Sequence, residues 1–218
     1  AFAQNGVSLD GMNNVITDWV ASDNFADRDP ASPVIVLLHG YGSHERDLPP
    51  VAEWLGFDIP WVSLRAPIAL GQGGFAWAPI TNPGNPLADD VEVASAILWR
   101  WIDDNLGESP LIVIGFSQGG LMTSQLLRTR PERLVRAAIL SGFIASAPQP
   151  ADDALAANPP RVFWSHGTAD TVIVPESVER TKAFLASHTD VIDNEYVGLG
   201  HSIDERVLTD LRDYLASA

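Results

Sequence analysis

The chain has 218 residues, of which 46% are hydrophobic, and this length fits one domain with a sizeable core better than two domains. With 28 acidic and 13 basic residues the formal net charge is −15, which disfavours nucleic acid and anionic membranes as partners. The absence of cysteine excludes disulfides, thiolate metal sites and a cysteine nucleophile.

The strand candidates are short, apolar and rich in β-branched residues. Continuous apolar runs of this length are typical of strands that are buried on both faces of a parallel sheet. In chain order they are a weak candidate at 13–20 and then 34–39, 61–64, 111–116, 137–142, 161–166 and 194–198.

Helical patterns alternate with these strands. The segment 87–107 has an apolar stripe at helical spacing, acidic residues in its first turn and a glycine at its end. The alternation predicts an α/β fold class, with a mostly parallel central sheet flanked by helices, in a single domain over 1–218 without a large lid. Further helices are predicted from 119 to Pro131, at 175–188 and at 202–218.

Two segments rich in glycine, proline and alanine, 66–87 and 142–160, carry no clear helix or strand pattern. Loops of this length in a compact domain are usually functional or mobile. In a parallel sheet flanked by helices, ligands bind beyond the carboxyl ends of the strands.

Residues 115–119 read Gly-Phe-Ser-Gln-Gly and match the pattern G-x-S-x-G. A strand candidate precedes this stretch and a helix candidate follows it, which is the context that the pattern requires. Glycines two positions to either side of Ser117 allow a sharp strand-to-helix turn that presents the serine hydroxyl at the sheet edge. We therefore predict that Ser117 is a nucleophile; the alternative is an ordinary glycine-rich turn with a capping serine.

A serine hydroxyl needs a base to remove its proton and a further group to orient that base. His201 follows the last strand candidate, where a base can reach the serine, although a capping or surface histidine is the alternative. Asp170 directly follows the preceding strand at the same sheet edge and is the candidate acid. We expect His39 and His166 to support their own turns.

The same chemistry needs hydrogen-bond donors for the oxyanion. The backbone N–H groups of Gln118, directly after the serine, and of Tyr41, in the loop after strand 34–39, are the candidates. The substrate-pocket candidates, for each of which ordinary core packing is the alternative, are Phe75, Trp77, Phe143 and Ile144, together with Tyr41.

Several of these segments occur together in a recognisable order: VIVLLHGYGS, RAP, GFSQGG, AAILSG, HGTADTVIV and GLGH, between residues 34 and 201. With them the chain resembles the α/β-hydrolase superfamily, and within it the phospholipase/carboxylesterase family that includes the acyl-protein thioesterases. The resemblance implies an α/β-hydrolase fold, with Ser117, Asp170 and His201 as a catalytic triad. It also implies the N–H groups of Tyr41 and Gln118 as the oxyanion hole.

The sequence thus predicts a serine carboxylesterase for esters of short to medium acyl chains, with no metal or organic cofactor. An acyl-thioesterase or a lysophospholipase would use the same residues, and a non-catalytic binding module that keeps the fold is a further alternative. We expect a small-molecule ester as partner, no nucleic acid and no stable membrane insertion. A homodimer is an expectation by analogy with relatives, and we expect a cytoplasmic rather than a secreted protein.

Overall fold

The computed structural model describes residues 15–217, which contain nine strands and six α-helices. The strands are β1 (Trp19–Ala21), β2 (Val34–Leu38), β3 (Trp61–Leu64), β4 (Ile68–Gly71), β5 (Gly74–Ala76), β6 (Leu111–Phe116), β7 (Leu134–Leu140), β8 (Arg161–Gly167) and β9 (Asp190–Tyr196). The helices are α1 (Pro49–Leu55), α2 (Ala88–Leu106), α3 (Gln118–Thr129), α4 (Asp152–Ala157), α5 (Pro175–His188) and α6 (Glu205–Ala216), and a short 3₁₀ helix covers Pro131–Arg133.

Seven strands form one central sheet in the order β1-β3-β2-β6-β7-β8-β9. Strand β1 runs antiparallel to β3, and all other neighbours in this sheet are parallel. Strands β4 and β5 pair separately as an antiparallel hairpin. The predicted mostly parallel sheet is therefore confirmed, and residues 15–217 form no separate lid domain.

The central strands bury both of their faces. In β2, Val34, Val36 and Leu38 pack in the cluster that contains the apolar residues of α2, α3 and α5. The intervening Ile35 and Leu37 pack in a second cluster with α1 and α6. Because successive side chains point to opposite faces of a sheet, this two-sided packing explains the unbroken apolar runs of the sequence. Among the helices of residues 15–217, none has the length and apolar character needed to cross a bilayer.

Several element boundaries differ from the prediction. Strand β9 begins at Asp190, four residues before the predicted start, because an edge strand with one exposed face carries polar residues. The weak candidate at 13–20 is reduced to β1, and its residues 13 and 14 lie outside the described part of the chain. The two unassigned segments contain the β4–β5 hairpin and helix α4.

The beginning of α3 lies against the carboxyl end of β2 with almost no space between their backbones. A Cβ atom at Gly119 would lie 1.8 Å from the carbonyl oxygen of Leu38 and 2.7 Å from that of His39. Only glycine fits at such a contact, since a side chain would have to displace backbone on one side. The second glycine of the G-x-S-x-G stretch thus sets the position of α3 on the sheet.

We expect Gly119→Ala to lower the free energy of unfolding by about 3 kcal/mol, although alanine is intrinsically the better helix former by about 1 kcal/mol. Urea unfolding followed by far-UV circular dichroism measures the effect. Gly200→Ala is the matched control, because a Cβ there would have its nearest neighbour 3.9 Å away, at the carbonyl oxygen of Ala169. Equal stability of the two variants would contradict the argument.

Candidate active site

Ser117 lies at the turn between β6 and α3, with φ of 55° and ψ of −116°. A positive φ is unfavourable for a residue with a side chain and costs on the order of 1–3 kcal/mol. The turn is held by the serine N–H, which donates to the carbonyl oxygen of Leu140 at 2.8 Å. The neighbouring glycine, Gly115, accommodates the tight turn, because a Cβ there would lie 2.1 Å from the carbonyl oxygen of Gly119.

Three side chains from different parts of the chain form a continuous hydrogen-bonded row. Nε2 of His201 lies 2.8 Å from Oγ of Ser117. Nδ1 of the same imidazole lies 2.7 Å from Oδ2 of Asp170. The serine follows β6, the aspartate follows β8 and the histidine follows β9, so all three lie at the carboxyl edge of the parallel sheet.

The carboxylate of Asp170 is held on both of its oxygens. Oδ1 accepts the N–H groups of Val172 and Ile173 at 2.8 and 3.1 Å, and Oδ2 faces His201. Burial pushes the pKa of Asp170 upward, but the hydrogen bonds from His201 and from the two N–H groups outweigh it and lower the pKa. The carboxylate is therefore ionised near neutral pH.

An ionised Asp170 fixes the tautomer of the imidazole. Because a carboxylate only accepts hydrogen bonds, Nδ1 of His201 carries the proton, and Nε2 is left as an acceptor for the hydroxyl of Ser117. The ring of Phe116 packs at 4.9 Å from the imidazole, centroid to centroid. The arrangement can therefore accept a proton from the serine hydroxyl while the cation that forms is stabilised by the carboxylate.

The backbone N–H groups of Tyr41 and Gln118, near Ser117, have no protein acceptor within residues 15–217. The loop that carries Tyr41 lies against the serine turn, since a Cβ at Gly40 would lie 3.3 Å from Cβ of Ser117. The side chain of Tyr41 is 42% exposed. Unpaired N–H groups in this position are available to a negative charge that develops beside the serine.

Trp77 connects the two segments that carry these N–H groups. Its backbone N–H donates to Oε1 of Gln118 at 2.8 Å, and its indole Nε1 donates to the carbonyl oxygen of His39 at 2.8 Å. Nε2 of Gln118 in turn donates to the carbonyl oxygen of Ala78 at 2.7 Å. One buried tryptophan thus holds the loop after β2 and the beginning of α3 in a fixed relation.

Comparison with known proteins identifies the family. Residues 25–218 match the model of the phospholipase/carboxylesterase family. The chain belongs to this family. It is 27% identical over 213 residues to acyl-protein thioesterase 1 of Kluyveromyces lactis, which covers 87% of this chain and 93% of the relative. It is also 26% identical over 205 residues to a probable carboxylesterase of Oryza sativa subsp. japonica, covering 83% of this chain and 76% of the relative.

Solved structures of carboxylesterases share the fold. The carboxylesterase of Bacillus cereus superposes with a TM-score of 0.74 at 21% identity, over 90% of this chain and 92% of that structure. The carboxylesterase of Mesorhizobium loti gives a TM-score of 0.71 at 21% identity, over 88% and 90% of the two chains. The predicted α/β-hydrolase fold is therefore confirmed, and this member of the phospholipase/carboxylesterase family is a hydrolase.

The four residues predicted to form a substrate pocket differ in their burial and in their surroundings. Trp77 has no exposed surface, because its ring is packed in the main core and its N–H is bonded to a carbonyl oxygen. Ile144 is 2% exposed and lines a cavity below the 142–150 loop. Phe75 is partly buried beneath Arg65, and Phe143 packs in a small apolar cluster.

The small apolar cluster around Phe143 includes a residue from the first turn of α3, the helix that follows Ser117. It contains Leu121, whose N–H donates to the carbonyl oxygen of Ser117 at 3.1 Å, together with Val91 and Ala145. A separate cavity of about 260 Å³ borders Asp170, and Ser117 is not among its lining residues. Sequence reasoning had no signal for this cluster, because its members come from three distant segments.

His39 supports the loop after β2. Its Nε2 accepts the N–H of Ala66 at 3.1 Å, so its Nδ1 carries the proton and donates to the carbonyl oxygen of Gly40 at 2.7 Å. Both ring nitrogens are used, and the side chain is completely buried. Burial lowers the pKa of His39 from 6.5 to about 4. The imidazole of His39 is therefore neutral in the folded protein at neutral pH.

This lowered pKa of His39 makes part of the stability depend on pH. Between its folded and unfolded pKa values the unfolded chain binds more protons, so stability is fully present above about pH 6.5 and falls as the pH approaches 4. We expect a loss of about 2 kcal/mol in the free energy of unfolding between pH 7.5 and pH 5 from this residue.

Urea unfolding of the native protein and of His39→Gln at both pH values measures the contribution. His39→Gln is expected to lose this part of the pH dependence, whatever its stability at pH 7.5. His188→Gln, which changes a histidine at the end of α5, is the control and should keep it. An identical pH dependence in the native protein and His39→Gln would refute the assignment.

Proposed function

We propose that the protein is a serine carboxylesterase that hydrolyses carboxylic esters through Ser117, His201 and Asp170. The observation that carries this proposal is the unbroken row of contacts, 2.7 Å from Asp170 to His201 and 2.8 Å from His201 to Ser117. A strained serine beside an imidazole whose other nitrogen is bonded to a carboxylate is the arrangement that activates a hydroxyl.

The proposed reaction has two halves. In the first, Oγ of Ser117 attacks the ester carbonyl carbon while His201 takes the hydroxyl proton. The bond to the alcohol then breaks, and His201 returns the proton to the leaving oxygen, so that an acyl-serine and a free alcohol remain. In the second half, His201 removes a proton from water while the water oxygen attacks the acyl carbon. The bond between this carbon and Oγ of Ser117 then breaks, His201 gives the proton to Oγ, and the carboxylic acid leaves.

The backbone N–H groups of Tyr41 and Gln118 are the proposed donors to the oxyanion of the tetrahedral intermediate. Their lack of protein acceptors within the described chain and the contact between Gly40 and Ser117 support this role. The loss of one such donor typically costs about 3 kcal/mol of transition-state stabilisation. The bonds of Trp77 to both segments would keep the two donors in place without reorganisation.

For the acyl chain we propose a site bordered by Tyr41 and Phe143. Tyr41 is exposed beside its own N–H donor and offers aromatic surface there, whereas Phe143 is buried in the cluster that contains Leu121 of α3. Within residues 15–217 no separate domain covers the site. Short and medium acyl groups suit so open a site better than long ones, which need a deep channel to bury their methylenes.

A fluorophosphonate probe tests the proposed nucleophile. The probe should label the folded protein at Ser117, and Ser117→Ala should abolish the label. Ser117→Ala and His201→Ala should each lower kcat for p-nitrophenyl butyrate by a factor of about 10⁴ or more, because the nucleophile or its base is gone. Ser124→Ala is the matched control, since Ser124 is a buried serine of α3 whose Oγ donates to the carbonyl oxygen of Leu121 at 2.7 Å.

Unchanged far-UV circular dichroism in each variant would show that activity is lost for chemical and not for folding reasons. Full activity of either Ser117→Ala or His201→Ala, or label at a different serine, would remove the hydrolytic mechanism proposed here.

Acyl-thioester hydrolysis is the second candidate, because a relative at 27% identity bears the name acyl-protein thioesterase 1. The same triad would act, and only the leaving group would be a thiolate instead of an alkoxide. We expect p-nitrophenyl butyrate to be turned over with a higher kcat/KM than butyryl-thiocholine or lysophosphatidylcholine. A kcat/KM that is highest for the thioester would favour the thioesterase, and cleavage of the lipid alone would favour a lysophospholipase.

A further inference from the structure

A second cavity of about 260 Å³ lies between the loop 142–150 and helix α5, and we call it the Arg128–Arg180 cavity. Neither its position nor its residues enter the proposed reaction. Two arginines face a mainly apolar surface there, in a chain whose net charge is −15. The lining residues are Arg128, Ile144, Ala145, Ser146, Pro148, Asp152, Arg180, Phe184 and His188.

The positive charge of Arg128 is paired with a carboxylate. Its Nε and Nη2 donate to the two carboxylate oxygens of Asp152 at 2.8 and 2.7 Å, and further N–H groups donate to the carbonyl oxygens of Ala145 and Ala147. Its guanidinium also lies 4.5 Å from the ring centroid of Phe184. The bidentate ion pair with Asp152 neutralises one positive charge at the cavity wall.

Arg180 has no carboxylate partner within residues 15–217. Nε donates to the carbonyl oxygen of Ile144 at 3.1 Å, and Nη2 donates to the carbonyl oxygens of Ile144 and Gly84 and to Oγ of Ser177. Nη1 makes no hydrogen bond to any described residue and is not fully buried, and Arg180 is a lining residue of the cavity. Neutral acceptors leave the full positive charge uncompensated.

The environment of Arg180 favours an anion. Burial and the nearby charge of Arg128 both lower the pKa of Arg180, so its cationic form is less stable here than in water. An anion in the cavity would relieve this cost, and it would find hydrogen-bond donors on Nη1. The carboxylate of Asp152 does not compete for this position, since Arg128 holds both of its oxygens.

The remaining walls indicate what the anion carries. Ile144, Pro148 and Phe184 give the cavity an apolar side next to the guanidinium groups. A bare inorganic ion would leave this surface in contact with water, whereas a short hydrocarbon chain would cover it, at about 0.8 kcal/mol for each methylene that is fully buried. We propose that the Arg128–Arg180 cavity binds a small organic carboxylate, with the carboxylate on Nη1 of Arg180 and its alkyl chain against Ile144, Pro148 and Phe184.

Titration with sodium butyrate, followed by ¹H–¹⁵N NMR spectra at constant ionic strength in sodium chloride, tests this site. We expect saturable shifts of the Ala145 and Ser146 amides, with tighter binding of hexanoate than of butyrate and of butyrate than of acetate. Since butyrate is also an expected product of the proposed esterase, shifts at Gln118 report the active site separately. The cavity proposal does not depend on the esterase activity and is testable on Ser117→Ala.

Arg180→Gln should weaken butyrate binding at Ala145 and Ser146 at least tenfold and leave any shift at Gln118 unchanged. The matched control is Arg161→Gln, at an exposed arginine of β8 that does not line the cavity, and it should bind like the native protein. If Arg180→Gln does not fold, Arg180→Lys replaces it, with an expected loss of threefold or more because the forked donor is gone.

Three outcomes would overturn the proposal. The first is an absence of saturable shifts at Ala145 and Ser146. The second is equal binding of butyrate by a folded Arg180 variant and the native protein. The third is binding of inorganic phosphate or acetate as tight as that of hexanoate, which would leave a general anion site without the apolar specificity argued here.

Discussion

The site depends on a direct contact between two backbones, where the first turn of α3 lies against the carboxyl end of β2 at Gly119. No side chain fits between them, and Ser117, the one residue between β6 and α3, takes a positive φ at this turn. The same contact brings the loop after β2 beside the serine. The position of the hydroxyl and of the unpaired N–H groups is therefore a consequence of one glycine packed on one strand end, with the strain offset by packing elsewhere.

Around this contact the buried polar side chains are hydrogen-bonded within the protein itself. Trp77 uses its backbone and indole N–H groups on Gln118 and His39, and His39 uses both ring nitrogens on backbone groups. Every one of these bonds is buried, where a lost partner would cost about 1–3 kcal/mol. Such a network has few alternative arrangements, so the N–H groups of Tyr41 and Gln118 keep a fixed orientation. Water dipoles, in contrast, would have to reorient around a developing charge.

The parallel topology made the triad residues predictable as candidates, since Ser117, Asp170 and His201 each follow a strand whose apolar run is visible in the sequence. Their proximity in the structure agrees with that expectation, and their catalytic roles stay a proposal. The burial of the pocket candidates was not predictable in the same way. Tryptophan is a residue type that often lines pockets. The burial of Trp77, however, depends on hydrogen-bond partners that are 38 and 41 positions away in the sequence. Short elements such as α1 and the β4–β5 hairpin offer too few turns or alternations for a periodic pattern.

Many of the basic residues stabilise loops by hydrogen bonds to backbone carbonyl oxygens. Twelve of the 13 basic residues are arginines, and several of them donate to backbone carbonyl oxygens. A guanidinium has five N–H groups in a planar fork, so one side chain can join two or three loop segments, which a lysine ammonium cannot do in the same geometry. Arg65 shows the electrostatic counterpart, since its two bonds to the buried Glu45 lower the pKa of that carboxyl to about 2. The net charge of −15 follows from the composition, because 28 acidic residues outnumber 13 basic ones. Arg180 follows this pattern in its carbonyl bonds, and its lack of a carboxylate partner within residues 15–217 distinguishes it from Arg128 at the same cavity.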